Sequence, residues 1–157
     1  MPRDLAEGAM VVNFLSRLDA WLGKTLFHPP IILACQLTHQ SQHAMSRALW
    51  FFACCHATYY IRDDGWGWAV FMWFWTIWAF ISATAFADWE TRSMGWFRFL
   101  IWSLIMLEIP AMLMAGHIRA AAVRDVIILF AEYAATIKTI PPRRKREAKT
   151  RAQEARI

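Results

Sequence analysis

Charge is scarce in this chain, glycine is sparse, and cysteine follows no regular spacing. Asp, Glu, Lys and Arg make up 18% of the residues, against about a quarter in ordinary soluble domains. Residues 65–87 contain no ionisable side chain at all. The three cysteines, Cys35, Cys54 and Cys55, are an odd number without a pattern, which excludes a disulfide framework. Adjacent cysteines bridge each other only under strain, so Cys54 and Cys55 read as small apolar fillers. The sequence has no glycine-rich phosphate loop, no HExxH run, no Ser-His-Asp set and no carboxylate pair at a catalytic spacing. Cys55 and His56 are neighbours, but adjacent helical positions point about 100° apart and do not make a dyad. Nothing here gives a reason to expect an enzyme. The start, MPRDLAEGAM, lacks the charged beginning and apolar run of a cleavable signal, so membrane insertion is expected to rely on an internal segment.

What the chain has instead is apolar bulk. It is 58% hydrophobic with ten Trp, which places it among membrane proteins rather than soluble domains. The 23 charge-free residues 65–87 rise about 34 Å as a helix, against a hydrocarbon core of about 30 Å. Two firm spans are predicted, at 66–87 and 96–116. The second contains Glu108 and Pro110, and Pro110 is expected to kink it near residues 106–107. Two further segments are marginal. Residues 44–61 carry Arg47 and His56, with Tyr59 and Tyr60 at the far end where interfacial aromatics belong. In residues 118–140 a stripe of Arg124, Asp125, Glu132, Thr136 and Thr139 runs beside Val123, Val126, Ile127, Phe130, Tyr133, Ala134 and Ile137. That pattern fits either an interfacial helix or a crossing helix with its polar side turned inward.

Ahead of these segments, residues 9–27 form an amphipathic pattern. Met10, Val11, Phe14, Leu15, Leu18, Trp21, Leu22 and Leu26 lie on one side, and Asn13, Ser16, Arg17, Asp19, Gly23 and Lys24 on the other. His28, Pro29 and Pro30 are expected to end that helix, since proline lacks an N–H and disfavours helical geometry before it. The polar run 36–43 is expected to lead into the next helix. The predicted fold is therefore all-α: a polytopic helical membrane protein with three to four transmembrane helices and an N-terminal amphipathic helix. Its organisation is an amphipathic or interfacial segment at 1–43, a transmembrane domain at 44–140 and a basic cytoplasmic tail at 141–157.

The tail accounts for the net charge of +5, because residues 143–156 hold seven Lys and Arg against Glu147 and Glu154. If 118–140 crosses, fourteen Lys and Arg fall on one side and three on the other. If it stays on the surface, the split is six against eleven. The sharper bias marks the cytoplasmic side. It predicts four crossings of an inner (plasma) membrane with both termini in the cytoplasm.

The candidate sites follow from residues that a bilayer makes costly. His56, Glu108 and Glu132 come out at similar depth, and a cluster of them could relay protons, line a pore or fix helix register. Arg47 and the deep tryptophans Trp73, Trp75 and Trp78 are candidate interface anchors, stacking on a quinone, lipid or pigment or simply packing. Arg143, Arg144, Lys145 and Arg146 are candidate tail contacts to anionic lipid or a protein. Nucleic acid is not expected, since the tail has no aromatic residue to stack on bases. His39 and His43, with Cys35 a turn earlier, have metal-like spacing if helical, and His56 with His117 is the best haem pair, but neither set is complete. No metal or cofactor is assigned. The residues favour a non-catalytic subunit of a larger membrane assembly, with lipids and other subunits or copies of itself as partners. A homo-oligomeric pore, or a haem- or metal-binding redox protein, are the alternatives.

Overall fold

The computed structural model describes residues 3–61, 66–87 and 89–140, with side chains from residue 13 onward except that of Ile61. The candidate tail contacts Arg143, Arg144, Lys145 and Arg146 lie outside the described residues, as does the polar turn at 62–65. Among the described residues every regular element is helical. The helices are α1 (Arg3–Leu22), α2 (His28–Thr38), α3 (Gln42–Ile61), α4 (Trp66–Ala85), α5 (Gly95–Ala115) and α6 (Ala120–Ala134), with a π-helical turn, Gly23–Phe27, joining α1 to α2.

That turn overturns the expectation that the two prolines end the first helix. Pro29 and Pro30 fall in the first turn of α2, where a missing N–H is tolerated. The wider π turn before them accommodates their rings, and the His28 N–H reaches back to the Gly23 carbonyl. The chain turns later, at His39, which adopts a left-handed conformation (φ 57°) and closes α2 with its N–H on the Cys35 carbonyl. Ser41 then caps α3, its Oγ accepting from the Ala44 N–H at 3.1 Å. Gly116, at φ 69°, ends α5 in the left-handed geometry that glycine adopts without strain.

The packing is centred on α3 and α6. α4 lies against α3, α5 against α6, α2 against both central helices, and α1 reaches α5. The backbones of α4 and α5 nowhere come close. Buried alanines on both central helices, Ala53 and Ala57 on α3 and Ala131 and Ala134 on α6, allow close approach. Phe27, from the π turn, stacks on Tyr133 at 4.3 Å and meets Trp102 and Phe130 edge-on. Ile31, Cys35, Ile101, Ile105, Ile128 and Leu129 complete this core.

The outer helices are apolar and bare. α4 and α5 are the two helices long and apolar enough to cross a membrane, with mean hydropathy 1.4 and 1.7. Only 6% and 11% of those spans is buried, so neither resembles the core helix of a soluble domain. Leu113 and Met114 are 78% and 84% exposed, in an apolar surface that water would not tolerate uncovered. α6 is mostly buried and takes two acids in with it: Asp125 and Glu132 are buried beside Ile128, Leu129 and Tyr133, while Val123 and Val126 are exposed. The stripe at 118–140 thus turns its polar side inward. The helix itself is shorter than that segment, 15 residues or about 22 Å.

Gly23 is the tightest point of this packing. A Cβ there would lie 2.9 Å from the Tyr133 ring, closer than real contacts come. Gly23→Ala is expected to destabilise the fold by about 1–3 kcal/mol. Gly67→Ala, where a Cβ meets open space, should be neutral. Thermal unfolding of both variants in mild detergent checks this, and equal melting temperatures would mean the Tyr133 ring yields freely.

Candidate functional site

The buried polar groups meet where α5 begins. Arg98, in the first turn of α5, reaches Asp19 on α1 with a two-pronged bond: Nε donates to Oδ1 at 3.1 Å and a terminal N–H donates to Oδ2 at 2.5 Å. Its other terminal nitrogen donates to the Ser93 hydroxyl. Ser93 in turn donates to Glu132 Oε2 at 2.8 Å, and the Met94 backbone N–H donates to the same oxygen at 3.3 Å. Glu132 therefore sits at the start of α5, where free N–H groups favour an anion. The Tyr133 hydroxyl donates to Asp19 Oδ1 at 2.7 Å and accepts from the Trp102 indole N–H at 3.1 Å. The Arg98 guanidinium also lies over the Tyr133 ring, 5.3 Å from its centre. One connected set of bonds thus ties α1, α5 and α6 together. Burial alone would raise the Asp19 carboxyl, but the Arg98 guanidinium and the Tyr133 hydroxyl outweigh it and hold the group below its ordinary value of 3.8.

The three residues expected at one depth are not brought together. Glu132 lies two residues from the end of α6 and touches Met94. Glu108 is fourteen residues beyond Met94, about 21 Å along α5. Its Oε2 is buried without a partner among the described residues. The His56 ring packs on Tyr60 at 4.7 Å. The depth comparison placed Glu132 at mid-span because it read 118–140 as one long crossing, whereas the helix stops at Ala134.

The other candidates sort clearly. Arg47 donates to Ser82 Oγ at 2.7 Å and to the Trp89 carbonyl at 3.1 Å, joining α3 to the end of α4. It lines a cavity of about 610 Å³ together with Trp75 and Trp78. Trp73 is on the opposite face of α4, largely exposed and outside that cavity. His39 and His43 share no helical face, because the break at His39 and Gln40 separates them. His43 Nδ1 instead accepts from the Thr91 N–H at 3.1 Å. His117 is exposed on the turn after α5, with Nδ1 donating to the Ala115 carbonyl. Among the described residues no three His, Cys, Asp or Glu side chains gather as metal ligands would.

Sequence reasoning found Glu132 but missed Asp19, Ser93, Arg98, Trp102 and Tyr133. A signal existed for Asp19 and Arg98: one acid beside the apolar face of an amphipathic helix, and one arginine just inside an otherwise apolar segment. Each is costly alone, so they are natural partners. A scan against family models finds no match for the chain, and searches of curated proteins and of solved structures find none either.

Replacing Arg98 by Gln leaves Asp19 without its cation and is expected to cost about 3 kcal/mol, the low end for a broken buried pair because Asp19 keeps some water. Arg98→Lys should recover only part of this, since a single ammonium cannot bridge both oxygens. The pH dependence has a definite sign. A depressed carboxyl contributes stability above its unfolded value of about 4, and the contribution disappears as pH falls through the lower folded value. Asp19→Asn should therefore flatten the acid limb of a stability–pH curve measured by unfolding in detergent. An unchanged acid limb would remove Asp19 from the linkage.

Proposed function

We propose that this chain is a non-catalytic subunit of a larger membrane protein assembly. The observation that carries the reading is the division of its surface. The network around Arg98 is spent on bonds between helices, while the outward faces of α4 and α5 are apolar and aromatic and α1 leaves its apolar side exposed beside Asn13, Ser16 and Arg17. Phe14, Leu18 and Trp21 lie uncovered on α1, beside the network. A helix tied down by its acid with its apolar side free is suited to dock on a neighbouring subunit. The residues brought together hold helices in place, each bonded to a side chain or backbone group of another chain segment.

In this reading α3, α4, α5 and α6 run up and down through an inner (plasma) membrane, with α6 the short member. Support comes from bonds that gather four chain segments at one end. The Gln42 amide donates to the Lys138 carbonyl, His43 meets Thr91, Arg47 meets Trp89, and Glu132 meets Ser93. The starts of α3 and α5 and the end of α6 thus share a face, and Arg47, Arg92, Arg98 and Lys138 cluster toward it. By the positive-inside rule this face is cytoplasmic, and the Lys and Arg split of the sequence assigns both termini to the same side.

The test is the native mass of the particle extracted gently from its own membrane. Additional polypeptides bound in fixed ratio are expected. A particle whose mass is a multiple of 18.3 kDa alone would overturn the subunit reading in favour of a self-assembled one, to be assayed for conductance.

A further inference from the structure

We infer that the cavity between α3 and α4 is a binding site for one anionic phospholipid, its phosphate at Arg47 and an acyl chain along Trp78, Trp75 and Met72. At about 610 Å³ it falls within the roughly 300–1,000 Å³ of small-molecule sites. Its chemistry is graded along the membrane normal. Arg47, Ser82, Thr91 and Arg92 stand at one end, and Met72, Trp75 and Cys54 at the other. From Ser82 to Met72 is ten residues of α4, about 15 Å of depth. Arg47 lies five residues inside the start of α3, roughly 8 Å, which is headgroup level for a helix beginning at the interface.

The charge selects the ligand. Two guanidiniums, of Arg47 and Arg92, face one carboxylate, that of Glu132, and this carboxylate is already held by Ser93 and Met94. A guanidinium has five N–H donors. Arg47 spends one on Ser82 and one on Trp89, and its buried Nε–H has no acceptor among the described residues. A buried donor left unmatched is costly, and a phosphate oxygen matches it with a charge-assisted bond. A neutral isoprenoid quinone would fill the apolar end and offer a carbonyl to that donor, but would leave the excess positive charge unanswered. The site is independent of what the assembly does, because it is built from α3, α4, the turn before α5 and the end of α6 within one chain.

Native mass spectrometry of the full-length protein in mild detergent tests this. It would be titrated with dioleoyl-phosphatidylglycerol, with dioleoyl-phosphatidylcholine and with a ubiquinone analogue. One phosphatidylglycerol per chain is expected, retained about tenfold better than the zwitterionic lipid of identical chains. Arg47→Gln should weaken it about ten- to hundredfold. Trp78→Ala should weaken both lipids alike, and Trp73→Ala neither. Should Arg47→Gln fail to fold, Ser82→Ala together with Arg92→Gln gives the same reading: retained folding with weakened phosphatidylglycerol. Equal retention of the two lipids, binding indifferent to the arginines, or preferential uptake of the quinone would each overturn the assignment.

Discussion

The two-pronged bond between Arg98 and Asp19 is the constraint around which the rest of the molecule is arranged. In a bilayer the helices gain little by hiding apolar surface from lipid, which is as apolar as they are. Association then depends on polar pairs and close backbone approach. Arg98 sits in the first turn of a helix that is otherwise apolar for most of its length. Left alone there it would cost several kcal/mol. Asp19 answers it from a different helix, so α1 is fixed against α5 even though their backbones barely meet. Tyr133 and Ser93 then extend the same bond set to α6, where Glu132 is held.

That arrangement explains the irregular backbone nearby. Tyr133 must bring its hydroxyl to Asp19 while its ring stacks on Phe27, which forces the ring against the chain at Gly23. Any side chain there would block the approach. The π turn that begins at Gly23 swings Phe27 into the core and lets Pro29 and Pro30 follow without ending the helical path. Glycine, phenylalanine and the prolines are thus three parts of one local solution.

Much of this was legible in the sequence and some was not. The helices α4 and α5 were readable to within two residues, because a long apolar run, charge-free in α4 and nearly so in α5, with flanking polar turns is a strong local signal. The inward polar side of α6 was one of two readings that its wheel allowed. Helical depth, by contrast, misplaced Glu132, since counting residues assumes that a segment is one straight crossing. His28, Pro29 and Pro30 misled for a related reason: the rule that proline ends a helix concerns regular α geometry, and a π turn changes it. The Arg98–Asp19 pair joins residues 79 positions apart, and no periodicity within either helix points to the other.

The burial of two acids on α6 follows from the same economy of charge. A short helix of about 22 Å cannot carry its own apolar belt across a full hydrocarbon core of about 30 Å. Lodged between α3 and α5 it need not, because α4 and α5 are the helices long and apolar enough to cross. Burying Asp125 against Arg124, and Glu132 against Ser93 and Met94, removes from the lipid boundary groups that would be most costly there. The alanines Ala131 and Ala134 let α6 draw close enough for these bonds to form. The long apolar helices are then free to be uniform, with little on their outer faces except what lipid or a partner can cover. A chain built this way keeps its polar bonds between helices and leaves its apolar surface outside.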